Sequence, residues 1–310
     1  MVTRVDPDPL LILADLPLVQ DFYPLGFPLR LATNSTEVME AAVCAWGPFS
    51  PAFATVPIDM RVLVEPGVEP PAAPLFRAQR HLIVIVGAGN FGICDHTRNF
   101  AYCRLTASSA SDRDFTRYYF LEAMALFTLT QLHVTPIHAA CIARNGRGLM
   151  LCGESGAGKS TLAYACARQG WTYISDNESW LLRSDCRTVL GHPSRIRLRD
   201  TAATLFPELA GRPAVTFNGK RTIILSSAGL TTACQCRPER IVFLVRDGTH
   251  ATIVPMQGTR EQLLAGIIQY TPEVRAAHCA SLERFTEIPA VELHYTDVED
   301  AIPALEGLIA

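Results

Sequence analysis

A glycine-rich segment at residues 153–160, GESGAGKS, constrains this chain more than any other feature of its sequence. It contains the complete phosphate-binding loop pattern, in which two glycines with four residues between them are followed by Lys and Ser. An apolar run, LMLC, precedes the loop and STLAYACARQG follows it, which predicts a strand, a loop and a helix. Such loops direct backbone N–H groups and a helix N-terminus at phosphate oxygens. The predicted nucleotide-binding residues are Gly153, Glu154, Ser155, Gly156, Ala157, Gly158, Lys159, Ser160 and Thr161.

The loop predicts ATP and Mg²⁺ as ligands, with Lys159 on the β- and γ-phosphates and Ser160 on the metal. The loop alone does not distinguish a kinase from an ATPase, a GTPase or a transporter motor. Two neighbouring residues narrow the choice. His138 lies 15 residues before the loop, and Asp176 lies 17 residues after Lys159, directly behind the next apolar run. Ligands of α/β sheets gather at the carboxyl ends of strands, so we expect Asp176 to face the γ-phosphate.

The segment 138–181, HAACIARNGRGLMLCGESGAGKSTLAYACARQGWTYISDNESWL, resembles the catalytic domain of the HPr kinase/phosphorylase family and of HPr-kinase-related kinases. That family has a His before a hairpin, a G-[DE]-S-G-x-G-K-S loop, a helix ending in Gly, and a strand ending in an Asp pair. The resemblance implies an α/β fold: a P-loop kinase domain of the HPr kinase C-terminal type, with an N-terminal α+β region. We therefore predict an acceptor-recognition or assembly region at residues 1–132 and the catalytic domain at 133–310.

By this resemblance the chain transfers the γ-phosphoryl group of ATP to a serine or other hydroxyl. Asp176 becomes the base that accepts the hydroxyl proton, and His138 becomes the residue that tunes it. Lys159 and Ser160 keep their loop roles, and the metal is held by Ser160 and Asp176. Two other interpretations stay open: Asp176 as a capping or purely metal-binding carboxylate, and His138 as an ordinary core histidine.

The chain departs from the family in two respects. Asn177 stands where the family has its second Asp, and whether Asn177 or Glu178 takes part in metal binding stays open. The later glycine-rich signature linked to phosphorylase activity is missing, which favours a kinase alone. The alternatives are an ATP-binding regulatory module without phosphotransfer and a phosphoenolpyruvate-carboxykinase-like enzyme, whose metal-binding His and Lys we do not locate.

Basic residues later in the chain are further candidates. Lys220 and Arg221 lie in FNGKRTI (217–223), and Lys220 and Lys159 are the only lysines. A basic loop there would contact the phosphates or the acceptor, although an ordinary turn fits as well. The arginines of HPSRIRLR (192–199) alternate on one strand face, which fits either the site or a solvated surface. GAGNFG (87–92) lacks the full dinucleotide-binding pattern, so we predict a turn.

Local patterns predict the elements around these motifs. Ser35 or Thr36 and Ser111 or Asp112 are the expected helix caps, Asn145-Gly146 the expected hairpin turn, and Gly170 the expected helix end. The predicted strands are 28–33, 59–66, 80–87, 100–107, 137–143, 148–152, 171–175, 192–199, 222–225, 240–245 and 291–297, and the predicted helices are 35–46, 111–132, 159–169, 259–269 and 298–309.

Composition limits the partners. The net charge of −3 gives no electrostatic case for nucleic acid, and no run of about 18 uncharged apolar residues predicts a membrane helix. Ten scattered cysteines and no basic-then-apolar leader predict a cytoplasmic protein. The expected partner is a hydroxyl-bearing protein, peptide precursor or small molecule, and homo-oligomer formation stays open.

Overall fold

The structure is a computed structural model that describes residues 15–217, 220–247, 250–256, 263 and 271–309. It shows a mixed α/β chain with several sheets. The chain divides into two compact units, Met1–Leu132 and His133–Ala310. Apart from Leu263, the predicted helix at 259–269 lies outside the described residues, as does Gly219 of the predicted basic loop.

The described residues of the first unit build one seven-stranded sheet in the order β1-β2-β3-β7-β6-β5-β4. Its strands β2, β3 and β7 are parallel, and the other neighbours pair antiparallel. Leu29, Leu31, Met60 and Val62 alternate with more exposed residues and face the core. The strands are β1 Leu18–Phe22, β2 Leu29–Thr33, β3 Ile58–Glu65, β4 Leu75–Gln79, β5 Leu82–Gly87, β6 Asn90–Asp95 and β7 Phe100–Thr106.

The GAGNFG segment is a hairpin turn, as predicted, because Gly87 pairs with Asn90 across β5 and β6. Four strands were predicted in this unit, and all four are present. The short strands β1, β4 and β6 escaped prediction.

The helices of this unit confirm two predicted caps, Ser35 and Asp112. Ser35 caps the first helix by accepting a hydrogen bond from the Val38 amide at 3.3 Å. The helix expected over 111–132 begins at Arg113, because the extended backbone of Asp112 ends a short preceding helix and its side chain caps the next one. A π-helical stretch, Arg117–Glu122, then continues the second helix. The helices are α1 Thr36–Trp46, α2 Ala107–Ser111, α3 Arg113–Thr116 and α4 Ala123–Leu132.

The described residues of the second unit build three sheets, of six, four and three strands. Their orders are β11-β9-β10-β18-β20-β19, β17-β13-β12-β8 and β14-β16-β15. The strands are β8 Val134–Ile137, β9 Ala140–Arg144, β10 Arg147–Cys152, β11 Thr172–Ser175, β12 Ser179–Leu182, β13 Val189–Gly191, β14 Arg195–Arg199, β15 Val215–Phe217, β16 Lys220–Ser226, β17 Gln235–Cys236, β18 Pro238–Val245, β19 Thr252–Pro255 and β20 Ala290–His294. The helices are α5 Lys159–Arg168, α6 Pro272–Phe285 and α7 Val298–Gly307.

The six-stranded sheet is buried on both faces, which explains the unbroken apolar run of β10. Leu149 and Leu151 face a core that α5 and α7 cover, whereas Met150 and Cys152 face a second core that contains Leu282 and other residues of α6. Strands covered on both faces are apolar at successive positions rather than alternating ones. Local turn signals are confirmed here too. Asn145 and Gly146 have φ of 53° and 82° in the β9–β10 turn, and Gly170 has a φ of 86° beyond α5.

The strand expected over 137–143 is wrong as a single element. It divides into β8 and β9 at His138 and Ala139, where the chain crosses from the four-stranded sheet to the six-stranded one. Ser179 stabilises this crossing by donating a hydrogen bond to the Ala139 carbonyl at 3.0 Å. A second crossing, in the opposite direction, joins β11 to β12 through residues 176–178.

None of the helices in the described parts of the chain combines the length and the apolar character needed to cross a membrane.

Candidate active site

The glycine loop and Asp176 lie at the same end of the six-stranded sheet, beyond the last residues of β10 and β11. Strands β10, β11, β18 and β20 run in the same direction, although β9 runs the opposite way between β10 and β11. The sheet is therefore mixed rather than parallel throughout. Because the loop follows β10 and Asp176 follows β11, both leave the sheet at the carboxyl ends of its co-directional strands, where ligands of α/β sheets bind.

Three glycines give the loop its shape. Gly153, Gly156 and Gly158 have φ of 136°, 103° and 97°, a region that residues with a side chain rarely adopt. A β-carbon at Gly153 would lie 2.9 Å from the Leu244 carbonyl oxygen, so strand β18 also demands glycine there. The N-terminus of α5 follows directly and supplies the helix dipole expected at an anion site.

Tyr295, just beyond β20, stabilises the loop through its hydroxyl group. Its hydroxyl donates a hydrogen bond to the Ala157 carbonyl at 2.6 Å, and a β-carbon on Gly158 would collide with the same hydroxyl. Burial raises the pKa of Tyr295 to about 12, which keeps this hydroxyl protonated and donating at neutral pH. Nothing in the local sequence around Tyr295 indicates this role.

Lys159 is buried, and its side chain folds back onto the start of the loop. Its ammonium group donates hydrogen bonds to the carbonyl oxygens of Gly153 at 2.8 Å and Glu154 at 3.1 Å. Burial lowers the pKa of Lys159, and the nearby cations Lys220 and Arg199 lower it further, while Cys152 opposes them. A buried cation next to two other cations is the arrangement that a bound polyanion would stabilise.

Two exposed cations converge on the tip of the loop. The Lys220 ammonium group and the Arg199 guanidinium donate hydrogen bonds to the Ser155 hydroxyl at 2.8 and 3.2 Å. Both residues lie on the three-stranded sheet, in β16 and at the end of β14. Arg221 takes a different direction and pairs with Asp200 at 2.9 Å. The structure thus brings Lys220 to the loop tip, whereas it pairs Arg221 with a carboxylate.

Asp176 is buried beside the first turn of α5. Its carboxylate accepts a hydrogen bond from the Arg197 amide at 2.5 Å, and its carbonyl oxygen accepts one from the Ser160 hydroxyl at 3.3 Å. Burial raises the pKa of Asp176 to about 6, against the opposing effects of the Arg197 amide and guanidinium. This carboxyl group therefore changes charge close to neutral pH, as a general base does.

His138 lies near Lys159 and Lys220, and it is exposed rather than part of the core. The residue is exposed overall, but partial desolvation of its ring lowers the pKa of His138. Lys159 and Lys220 lower it further, and a hydrogen bond to the Asn177 backbone raises it. The net direction favours a neutral imidazole at neutral pH. Glu178 is half exposed, and its carboxylate lies 4.0 Å from the Arg197 guanidinium.

Two of the predicted residues fit a magnesium ion. The Ser160 hydroxyl donates a hydrogen bond to the backbone carbonyl of Asp176, so the two residues are neighbours, and Mg²⁺ in nucleotide sites is held by one or two protein oxygens together with phosphates and water. Within the described residues no group of three or more His, Cys, Asp or Glu side chains is arranged to hold a metal.

Sequence reasoning partly missed the arginines of β14. Ile196 and Leu198 face the core, which turns Arg195, Arg197 and Arg199 to the other face. Arg197 contacts the two acidic residues after β11, and Arg199 contacts Ser155. The alternation of arginine with apolar residues in β14 was the signal available in the sequence. The pairing of β14 with β16 then places the arginine face beside the loop as well as beside solvent.

Comparisons with known proteins give little support of their own. The chain matches no protein-family model, and it matches no curated protein. One solved structure that it resembles is the HPr(Ser) kinase/phosphatase from Coxiella burnetii, at 14% sequence identity and a TM-score of 0.28. That similarity covers 53% of this chain and 86% of the other chain. A TM-score this low does not establish a common fold.

Proposed function

We propose that the chain is an ATP-dependent kinase that transfers the γ-phosphoryl group to a hydroxyl. The observation that supports this most is the meeting of three cations, Lys159, Arg199 and Lys220, around a glycine loop at a helix N-terminus. Beside that loop lies Asp176, a buried carboxyl group whose pKa is raised to about 6. A polyanion site next to a carboxylate of this kind combines phosphate binding with proton acceptance.

In this proposal the loop binds the triphosphate. Lys159 exchanges its two carbonyl partners for β- and γ-phosphate oxygens, which relieves the cost of a buried cation among like charges. Lys220 and Arg199 leave the Ser155 hydroxyl for the γ-phosphate and stabilise the charge that develops on it. Mg²⁺, held by Ser160 and Asp176, would neutralise phosphate charge and orient the transferring group.

Asp176 then accepts the proton of the acceptor hydroxyl. The hydroxyl oxygen bonds to the γ-phosphorus, the bond from that phosphorus to the bridging oxygen breaks, and ADP leaves. His138, kept neutral by desolvation and by nearby cations, adjusts the proton affinity of this region through the Asn177 backbone. A side-chain base of this type contributes about 10²–10⁴-fold to the rate.

The wider assignments are part of the same proposal. The second unit is a P-loop kinase domain of the HPr kinase C-terminal type, and the first unit recognises the acceptor or mediates assembly. The acceptor is a protein, a peptide precursor or a small alcohol, and the proposed location is the cytoplasm.

The test compares the wild-type protein with Asp176→Asn, using γ-labelled ATP, a cell lysate as acceptor source, and mass spectrometry of the labelled species. ATP affinity is measured alongside by calorimetry. At subsaturating MgATP we expect wild-type kcat/KM to rise with pH and level off above about pH 6, because this ratio reports the free enzyme. The variant should lose about 10²-fold or more of its transfer rate with ATP still bound.

Asp300→Asn is the matched control, because Asp300 is an exposed carboxylate of α7 that pairs with His250 rather than with the loop. Its transfer should equal that of the wild type. Transfer by Asp176→Asn at the wild-type rate would exclude Asp176 as the base. ATP binding without transfer to any acceptor by the wild type would replace the proposal with a regulatory module.

A further inference from the structure

Two thiols from different sheets of the second unit touch each other. The sulfur atoms of Cys141 in β9 and Cys236 in β17 are 3.5 Å apart, although the two residues are 95 positions apart in the chain. Cys141 belongs to the six-stranded sheet and Cys236 to the four-stranded one. Both are free thiols in the structure, and neither contributes to the loop, to Asp176 or to His138.

The two members of this pair differ in accessibility. Cys141 is fully buried in the core beside Met150 and Cys152, whereas Cys236 is partly exposed at the edge of its sheet. Contact with Cys236, together with burial, raises the pKa of Cys141, so its thiol remains protonated and is the poorer nucleophile. A reagent in solution therefore meets Cys236 first.

The Cys236 sulfur packs directly against a glycine of a neighbouring strand. Gly148 of β10 faces Cys236, and a β-carbon at Gly148 would collide with the Cys236 sulfur. A disulfide needs the sulfurs to approach to about 2.05 Å, a movement of about 1.5 Å from their present separation. Cys236 lies on an edge strand of two residues, Gln235–Cys236, so the smaller element is the one that has to move.

We propose that Cys141 and Cys236 form a reversible disulfide by exchange with a small-molecule disulfide. The Cys236 thiolate attacks one sulfur of that disulfide, whose S–S bond breaks and releases the first small thiol. Cys141 then attacks the Cys236 sulfur of the mixed disulfide and passes its proton to the departing sulfur, which leaves as the second small thiol. The protein loses two electrons and two protons, and one disulfide of the reagent becomes two thiols.

The bond would tie together the two sheets between which the chain crosses twice. His138 and Ala139 form the first crossing, and residues 176–178 form the second. A link between β9 and β17 therefore fixes the spacing of the elements from which His138 and Asp176 project.

The experiment treats the folded, full-length protein with oxidised glutathione, alkylates the remaining thiols and maps the peptides by mass spectrometry. We expect a peptide that links Cys141 to Cys236, two fewer alkylated thiols than in the untreated protein, and full recovery with dithiothreitol. Cys236→Ala should abolish the link. Cys234→Ala, a partly exposed cysteine two residues away, should retain it.

Both variants change partly exposed residues, so neither removes a fully buried side chain from the core. Circular dichroism and thermal melting establish that each variant is folded before oxidation. Any of three results would overturn the proposal: glutathione that stays attached to Cys236, a link between Cys236 and Cys234 or a second chain, or a thiol count that does not change.

Discussion

Asp176 is expected to destabilise the folded second unit at neutral pH, and Asp176→Asn should therefore stabilise it there. The carboxyl group is buried, and its pKa rises from an ordinary value of 3.8 to about 6. A group whose pKa is raised on folding adds stability below its unfolded pKa and loses it as pH rises through the folded one. The asparagine amide has a similar shape, can still accept the Arg197 hydrogen bond, and carries no charge at any pH.

The size of the effect follows from the shift. About two pKa units at 1.36 kcal/mol each give about 3 kcal/mol between the two limits of pH. Roughly 2 kcal/mol of this falls between about pH 4 and pH 7.5, the range in which a folded protein can be studied. The free energy of unfolding of the variant, relative to wild type, should rise by that amount over this range.

Urea titration followed by tryptophan fluorescence measures the difference. The chain has three tryptophans, and Trp171 and Trp180 are buried in the second unit. A Trp46→Phe background removes the signal of the first unit, so the transition reports the second unit alone. Comparing variant and wild type at each pH cancels the groups that titrate equally in both.

Asp185→Asn is a control with the opposite expected sign. Burial acts to raise the pKa of Asp185, but hydrogen bonds from Thr188, Arg187 and Arg237 outweigh it and hold the pKa below its usual value. The Asp185 carboxylate therefore stabilises the fold above its unfolded pKa, and its loss should cost most at neutral pH and less as pH falls. A stability difference for Asp176→Asn that stays constant or shrinks from pH 4 to pH 7.5 would refute the burial argument.

Three further substitutions test the loop and its support. Lys159→Ala should weaken MgATP binding roughly 100-fold by calorimetry, while Arg168→Ala, in the last turn of the same helix, should leave it near the wild-type value. Lys220→Ala should lower the rate of phosphoryl transfer about tenfold with a smaller change in ATP affinity, and Arg221→Ala should lower it less, because that side chain pairs with a carboxylate. Tyr295→Phe should destabilise the second unit by about 1 kcal/mol in urea and weaken ATP binding several-fold, and an unchanged affinity would show that the hydroxyl does not shape the loop.

Local features of the site were predictable from the sequence because short-range chemistry determines them. The three positive-φ glycines, the helix that starts at Lys159 and the Asn145-Gly146 turn each depend on residues within a few positions of one another. The placement of Asp176 near Ser160 followed from one further rule, that the carboxyl ends of co-directional strands share an edge.

Long-range pairing could not be predicted in the same way. The break at His138 depends on β8 joining β12 and on β9 joining β10, partners that no local pattern identifies. The short strands β12, β13 and β17 have too few residues to show a period. Contacts such as Tyr295 with Ala157 join residues 138 positions apart, so only the complete fold reveals them.

The position of Tyr295 also bears on how the protein matures during synthesis. The glycine loop is translated long before β20 and Tyr295, so the nascent chain carries the motif for many seconds without its support. Until β20 leaves the ribosome and pairs with β18, the Ala157 carbonyl does not receive the hydrogen bond of Tyr295. We therefore expect the loop to bind nucleotide only after Tyr295 has been synthesised, so that incomplete chains would not bind ATP.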